Sequence, residues 1–483
     1  MSGQILEIDY DSKKNRGLIK PGSALDTIRE IFSIENVAAR FVKTFQPKRI
    51  YAITPLGSFD IGLVGEIERV IAAKQLPITI QLSPSARAIL QPAITVSLVD
   101  GLTKPLRDYQ VVATSRCFEQ GRGVVVMGTG AGKTLTIASL IQNFFYNSKN
   151  QEFFKCLIVV PDLGLVRQTY DDFAEYGVDL TVTKWTGNSE PDLTCNIVIA
   201  NTAIIQRQVD TCDWINDVDL LIVDEVHKLN TRSGLSKIVH KISTPHKFGF
   251  TGTLPENKID AWNVIGKIGP VLFEKSSYEL RSENFLTNVS VKMLQLTYID
   301  KPVRIKDRNF ATEQYQEELE FIKVNNFRNR VIRTTCNNFN NNILILVNHI
   351  EHGEMLFNIL NTLSGKHVFF IQGEVEIDER ERVKQIMESS DNVICVAISA
   401  IFSTGVNIKN IHMILFAAGG KSFIRTVQSI GRGLRQNDNK DKLIIIDIAD
   451  NLEYGNKHAT KRIEIYKSEK IPYNIHNLIE KVS

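Results

Sequence analysis

Three groups of residues in this chain have the types and spacing that phosphate chemistry demands. Gly128-Thr129-Gly130-Ala131-Gly132-Lys133-Thr134 is a glycine-rich run that closes on a cation and a hydroxyl. Glycines let backbone N–H groups come close to a phosphate, and a helix starting there adds the partial positive charge of its N-terminus. In that frame Lys133 reaches the β- and γ-phosphates of ATP, and the Thr134 hydroxyl coordinates Mg²⁺. Asp224-Glu225-Val226-His227 supplies two adjacent carboxylates. Asp224 would hold the metal through water, and Glu225 would orient or deprotonate the attacking water. His227 is a candidate to couple this pair to the Thr251-Gly252-Thr253 turn, although a lone histidine is more often structural. The third group is Gln428, Arg432 and Arg435, which share one face if their segment is helical. Arginines so placed stabilise charge on a transferring phosphoryl group, an effect of roughly 10³–10⁵ in turnover. A site drawn from two domains opens and closes with each hydrolysis cycle, which suits a motor better than a simple hydrolase.

The elements that must position these groups are legible as short apolar runs. Val124–Val126 precedes the glycine loop, and Ile137, Leu140, Ile141 and Phe144 follow it at helical spacing. The strict phosphate-loop pattern asks for glycine where this chain has Met127, and the strand–loop–helix context that should accompany the motif is nonetheless present. Leu157–Val160, Ile197–Ala200, Leu220–Val223 and Phe248–Phe250 continue the texture. It returns at Ile343–Val347, Val368–Ile371, Val393–Ile398, Met413–Phe416 and Leu443–Ile446. Fully apolar strands alternating with helices predict parallel sheets covered on both faces. Asp224-Glu225 then sits at the C-terminal end of its strand, where such sheets bind ligands. The predicted fold class is α/β, with two parallel-sheet domains in tandem behind a small α+β N-terminal domain. The expected boundaries are 1–97, 98–280, 281–455 and a basic C-terminal tail at 456–483. Residues 270–300 read as a connector or edge hairpin, and the asparagine-rich stretch Asn337–Asn342 reads as a loop.

Composition bounds the alternatives. Hydrophobic residues are 43% and charged residues 23%, a balance that suits globular domains with real cores. The formal net charge of +3 is too small to demonstrate a polyanionic partner. Cys117, Cys156, Cys195, Cys212, Cys336 and Cys395 are scattered with no Cys-x-x-Cys pair, which indicates neither a zinc site nor a disulfide framework. The polar N-terminus has no apolar signal core, and no apolar run approaches a membrane span. Reduced thiols and the absence of a span predict a cytoplasmic protein with no membrane partner.

The ordered set of motifs resembles a superfamily 2 helicase. GTGAGKT stands as motif I, VVPDLGLVRQ as Ia, IANT as Ib, DEVH as II, TGT as III, NHIEHG near IV, FSTGVN as V and QSIGRGLR as VI. Eight such strings in the right order cover about residues 105–450. LRDYQ at 106–110 resembles the adenine-reading segment, with Arg107 and Gln110 as candidates. IREIFSIENVAARF, PLGSFDIGLVGEIERVI, GEVEIDERERVKQI and the stretch around QSIGRGLRQ are similar to the bacteriophage UvsW-type helicases. That resemblance implies RecA-like domains, coupling of ATP hydrolysis to branch migration, fork remodelling and annealing or unwinding of branched DNA, and an N-terminal domain that helps bind duplex. In motif V it implies that Gly405 and Asn407 lie near nucleotide. Many relatives carry Asp where this chain has Asn407, and a neutral amide still hydrogen-bonds ribose or the neighbouring domain.

Helicase folds of this kind grip the sugar–phosphate backbone, which positions the protein without reading sequence. Candidates are Arg167 and Gln168 in Ia, Thr202 in Ib, and His349, Ser403 and Thr404 in the second domain. Each is equally consistent with an ordinary polar loop residue. ARFVKTFQPKRIY at 39–51 interleaves Lys43, Lys48 and Arg49 with aromatics, suited to a duplex or junction contact or to an amphipathic helix with a buried aromatic face. Segment 298–315 is a candidate strand-separating wedge. The expected partners are branched or forked DNA and single-stranded DNA, engaged by a monomeric motor. An RNA helicase and a nucleic-acid-binding scaffold that uses ATP only as a switch are the rival readings. The complete hydrolytic set weighs against the switch.

Overall fold

Strands buried along their whole length need cover on both faces, and the computed structural model shows two sheets built that way. It describes residues 4–36, 47–90, 98, 101–128, 130–187, 191–230, 233–302, 311–372, 377–399, 410–418 and 442–481. The first sheet has seven strands in the order Val271–Lys275, Gly123–Met127, His246–Thr251, Leu220–Asp224, Cys156–Val160, Ile197–Asn201 and Val182–Trp185. Every neighbouring pair is parallel. Every residue of Gly123–Met127, Cys156–Val160 and Ile197–Asn201 is buried. The second sheet also has seven strands, ordered His367–Ile371, Val393–Ile398, Ile343–Val347, Met413–Phe416, Lys442–Asp450, Asn288–Thr297 and Tyr473–Ile479. Its pairs are all parallel too. The tandem α/β class read from the sequence is the class found.

The chain divides into two compact units, one spanning Met1–Gly128 and Gly132–Ser276, the other centred on Ser277–Ser483. Two segments differ from the sequence expectation. Residues 270–300 are neither a connector nor a hairpin, though one strand does lie at an edge: Val271–Lys275 is an edge strand of the first sheet, and Asn288–Thr297 is an inner strand of the second. Residues 456–483 are no loose tail, because helix Glu453–Ser468 carries buried Arg462 and Tyr466 and strand Tyr473–Ile479 closes the sheet's edge. Of the candidate wedge at 298–315, residues 303–310 lie outside the described residues, and helix Ala311–Val324 begins within it. Asn342 closes the asparagine-rich loop as a buried staple. Its amide donates to Met387 and Ser390 carbonyls (both 2.7 Å) and accepts from Val393 N–H (2.9 Å).

The N-terminal region is α+β. Its four-stranded mixed sheet runs Ser58–Phe59, Arg16–Ile19, Gln4–Asp11, Ile78–Leu82, with helices Ser23–Ile31, Val64–Ala73 and Pro84–Leu90. Leu6, Ile8, Ile19, Phe32, Phe59 and Ile67 form its core. It belongs to the same compact unit as the first parallel sheet. Trp262 and Ile265, from helix Lys258–Ile268, pack into its core, with the Phe32 and Trp262 rings 5.0 Å apart. The approach is so close that a Cβ on Gly62 would lie 2.4 Å from the Ile265 carbonyl oxygen.

In the second unit, Asp447 and Asp450 lie three residues apart on one strand and so face opposite sides of the sheet. Each meets a fully buried arginine and a tyrosine. Arg328 donates from Nε to Asp450 (2.9 Å) and from Nη2 to the Ala417 carbonyl (2.9 Å), and the Tyr298 hydroxyl donates to the same carboxylate. On the other face Arg462 Nε and the Tyr466 hydroxyl donate to Asp447 at 2.9 and 2.8 Å. Burial by itself pushes the Arg328 guanidinium down, but the neighbouring Asp450 carboxylate holds it above its ordinary value. Removing one partner of such a pair leaves an uncompensated buried charge, at about 3–5 kcal/mol. Asp450→Ala is therefore expected to lower the unfolding free energy of the second unit by that margin, read as a fall in its urea midpoint. An unchanged midpoint would contradict the assignment.

Candidate nucleotide site and nucleic-acid contacts

The glycine loop joins a buried strand to helix Lys133–Asn147, as the sequence required. Gly130 and Gly132 both take left-handed backbone, with φ of 83° and 77°. The loop is tied at both ends. Gly128 N–H donates to the Lys275 carbonyl at 2.9 Å. Gly132 carbonyl accepts from Gln110 Nε2 at 3.2 Å and from the Thr136 hydroxyl at 3.2 Å. Gln110 is 2% exposed, and its other amide end accepts from the backbone N–H of Arg107 at 2.8 Å. A side chain read as an adenine contact is thus also a strut, binding the start of helix Asp108–Gln120 to the phosphate loop. Arg107 Nη1 donates to the Tyr109 hydroxyl at 3.1 Å.

Lys133 and Glu225 face each other, Nζ to Oε1 3.5 Å, with side chains only 10% and 15% exposed. Glu225 follows the end of strand Leu220–Asp224 in left-handed backbone, φ 52° and ψ 45°. That conformation is uncommon outside glycine and asparagine. It is held in part by the donation of Glu225 N–H to the Asp224 carboxylate at 2.9 Å. Strand His246–Thr251 lies between the glycine-loop strand and Leu220–Asp224, so Thr251 emerges between the loop and the carboxylates. His227 Nδ1 is 2.9 Å from Thr251 Oγ1 and 3.3 Å from Glu225 Oε2. The Thr251 hydroxyl gives its one proton to the Thr253 carbonyl at 2.9 Å. It must therefore accept from His227, which fixes the Nδ1–H tautomer. His227, read from the sequence as a link between the carboxylates and the TGT turn, makes that link in the structure.

The remaining candidates divide. Asp162 and Asn201 cap their helices, accepting from Leu165 and Ile204 N–H groups at 3.0 Å each. These caps set the Ia and Ib segments at strand ends. Arg167 is exposed, Gln168 is half-buried with its Oε1 unpartnered, and the Thr202 hydroxyl donates to the Val160 carbonyl at 3.3 Å. In the second unit His349 is exposed at the N-terminus of helix Ile350–Leu360. Lys48 is exposed. Arg49 is tied down, donating twice to the Ser33 hydroxyl (2.9 and 2.6 Å) and lying 3.7 Å from Glu30. Thr129, Lys43, Ser403, Thr404, Gly405, Asn407, Gln428, Arg432 and Arg435 lie outside the described residues. Thr134 and Asp224 are half-buried oxygen donors, the one in the first turn of its helix and the other at a strand end. Magnesium takes such all-oxygen sets and keeps several waters, so the pair fits it. All six cysteines are free, and among the described residues no helix is long and apolar enough to cross a membrane.

A lysine at a helix N-terminus opposite a carboxylate pair, on an all-parallel sheet, defines a phosphate-loop nucleotide hydrolase. Residues 103–256 match the family model described as "Type III restriction enzyme, res subunit", and residues 323–437 match "Helicase conserved C-terminal domain". The chain belongs to the superfamily 2 helicases and is an ATP-dependent enzyme of that class. It is 27% identical over 392 residues to "ATP-dependent DNA helicase uvsW" of Enterobacteria phage T4, covering 76% of each chain. It is 24% identical over 404 residues to "DNA 3'-5' translocase XPB2" of Sulfurisphaera tokodaii, covering 74% of this chain and 86% of the relative. Among solved structures, "ATP-dependent Type ISP restriction-modification enzyme LlaBIII bound to DNA" shares the fold. Its TM-score is 0.57 at 17% identity, over 86% of this chain and 34% of that one.

The tie between loop and strut is testable. A Cβ on Gly132 would lie 2.4 Å from Gln110 Nε2 on backbone that L residues avoid. The left-handed conformation alone costs about 1–2 kcal/mol. Gly132→Ala is expected to weaken ATP binding by roughly tenfold or more, measured by equilibrium nucleotide titration. Wild-type affinity in this variant would show that the loop geometry is not what binds phosphate.

Proposed function

We propose that this helicase acts on DNA, and that it spends ATP to remodel branched DNA by migrating, unwinding and annealing its arms. The observation that carries the hydrolytic part is the Lys133–Glu225 pair, 3.5 Å apart at the strand ends of one sheet. DNA as the substrate is supported by the phage and archaeal relatives, whose names describe a DNA helicase and a DNA translocase. Branched DNA is supported by the N-terminal and motif VI stretches that resemble the UvsW type. In this reading Lys133 holds the β- and γ-phosphates and compensates their charge. Glu225 orients a water for in-line attack on the γ-phosphate and accepts its proton. Mg²⁺, held by Thr134 and Asp224, supplies further neutralisation of phosphate charge when bound. Arg432 and Arg435 stabilise charge developing on the phosphoryl group, and Gln428 positions water beside them.

His227 gives this site a route outward. It touches Glu225 and Thr251 at once, so a shift of the Glu225 carboxylate on hydrolysis alters the hydrogen bonds of the Thr251–Thr253 turn. Strand contacts are assigned to Arg167, Gln168, Thr202, His349, Ser403 and Thr404, with Lys43, Lys48 and Arg49 touching duplex. The protein works as a monomer in the cytoplasm. Mostly neutral donors let a strand slip past, where a dense lysine array would hold it.

The test is a panel of forks, four-way junctions, displacement loops, linear duplex and RNA of one length, with multiple-turnover phosphate release recorded on each. Branched DNA is expected to stimulate most. Glu225→Gln is expected to keep nucleotide and DNA binding while losing turnover by roughly 10²–10⁴, the worth of a positioned base. Equal stimulation by RNA would favour an RNA helicase, and undiminished turnover in Glu225→Gln would remove that residue from the chemistry.

A further inference from the structure

Where the N-terminal domain meets the first parallel-sheet domain, four cations surround one carboxylate. Arg16 and Lys267 both pair with Asp60, at 2.9 and 2.5 Å. Among the described residues neither Arg122 nor Lys247 forms an ion pair, and Asp60, already held by the other two cations, acts on them only from a distance. Arg122 is 3% exposed and spends its guanidinium on backbone carbonyls, Ile268 at 2.7 Å, Lys267 at 2.9 Å and Ile89 at 3.3 Å. Lys247 is 2% exposed, and its ammonium makes one hydrogen bond, to the Val239 carbonyl at 2.9 Å. Two of its three N–H donors remain unused.

A small cavity opens among these groups, lined by Asn15, Asp60, Arg122, His240, Lys247 and Lys267 among others. It has room for the centre of about one water-sized sphere. The Asn15 side chain is already occupied: its amide donates to the His240 and Ile242 carbonyls, and its oxygen accepts from the Tyr10 hydroxyl. The Asp60 carboxylate is engaged by Arg16 and Lys267, so the spare donors beside the cavity are the Lys247 N–H groups. Carbonyl oxygens satisfy donors but carry no formal charge, and an arginine in a protein does not release its proton. Burying such an excess of positive charge costs several kcal/mol per ion unless a counter-charge is present. Burial first, and then the nearby Arg122, drive Lys247 well below its ordinary range, which the Asp60 carboxylate offsets only in part.

We propose that this cavity binds one small inorganic anion of halide size, which bridges Lys247 and Arg122 and fastens the N-terminal domain to the helicase domain beneath it. The anion supplies the missing negative charge and takes the unused ammonium donors. The site is distinct from the nucleotide loop, so it acts on the stability of the joint and not on the hydrolytic groups.

The experiment is thermal unfolding of the full chain in sodium chloride, sodium bromide and sodium gluconate mixed to constant ionic strength. Replacing gluconate by chloride or bromide is expected to raise Tm of the first transition, by on the order of 2 °C per tenfold halide above saturation. Lys247→Met keeps the bulk, removes the charge and is expected to erase that dependence. A wild-type Tm indifferent to halide, or a Lys247→Met slope equal to wild type, overturns the proposal. Should Lys247→Met fail to fold, crystals soaked in bromide decide the matter. Anomalous density beside Lys247 Nζ supports the site, and its absence overturns it.

Discussion

A lysine and a glutamate held 3.5 Å apart across the top of one parallel sheet are the contact on which the proposed hydrolytic site depends. Neither residue could be placed there by its own segment. Lys133 is fixed because a buried strand runs into two left-handed glycines and then a helix, and Gln110 clamps the last of those glycines from below. Glu225 is fixed because its strand lies one strand away, in parallel register through His246–Thr251. Parallel pairing brings the C-terminal ends of all these strands to one edge, so groups far apart in sequence converge. The left-handed backbone at Glu225 is the local strain that such convergence carries, and it falls on the residue read as the catalytic base.

The N-terminal domain is an extension of this scaffold. Trp262 plugs its core, Gly62 admits backbone at close range, and a shared ion cluster fills the seam. The N-terminal domain is thereby fixed against the sheet that carries the glycine loop. The second unit uses a different device. Two Arg–Asp–Tyr clusters, one on each face, tie its late strand to helices from both ends of the unit's sequence. Helix Glu453–Ser468 and strand Tyr473–Ile479 are consequently part of its core structure.

What the sequence disclosed follows from burial. Strands covered on both faces are apolar throughout, so Leu157–Val160, Leu220–Val223 and Ile343–Val347 were readable as strands. Val182–Trp185, Asn288–Thr297 and Tyr473–Ile479 lie at or near sheet edges, mix polar with apolar residues, and carried no such mark. The motif residues Lys133, Asp224, Glu225 and His227 stood out in the sequence because their side-chain types and spacing are legible there. Gln110's bracing role was hidden because it acts on backbone atoms of Arg107 and Gly132. Arg122, Lys247, Arg328 and Arg462 look like surface charges in a linear sequence. Only the fold shows them to be buried.

In the proposed mechanism Lys133 serves nucleotide chemistry and not folding. Phosphate release in the presence of forked DNA, measured beside a thermal unfolding curve for Lys133→Ala, tests it most directly. The expected result is hydrolysis lost and the unfolding midpoint preserved. Hydrolysis persisting in a folded Lys133→Ala protein, or a variant that cannot fold, would contradict the account.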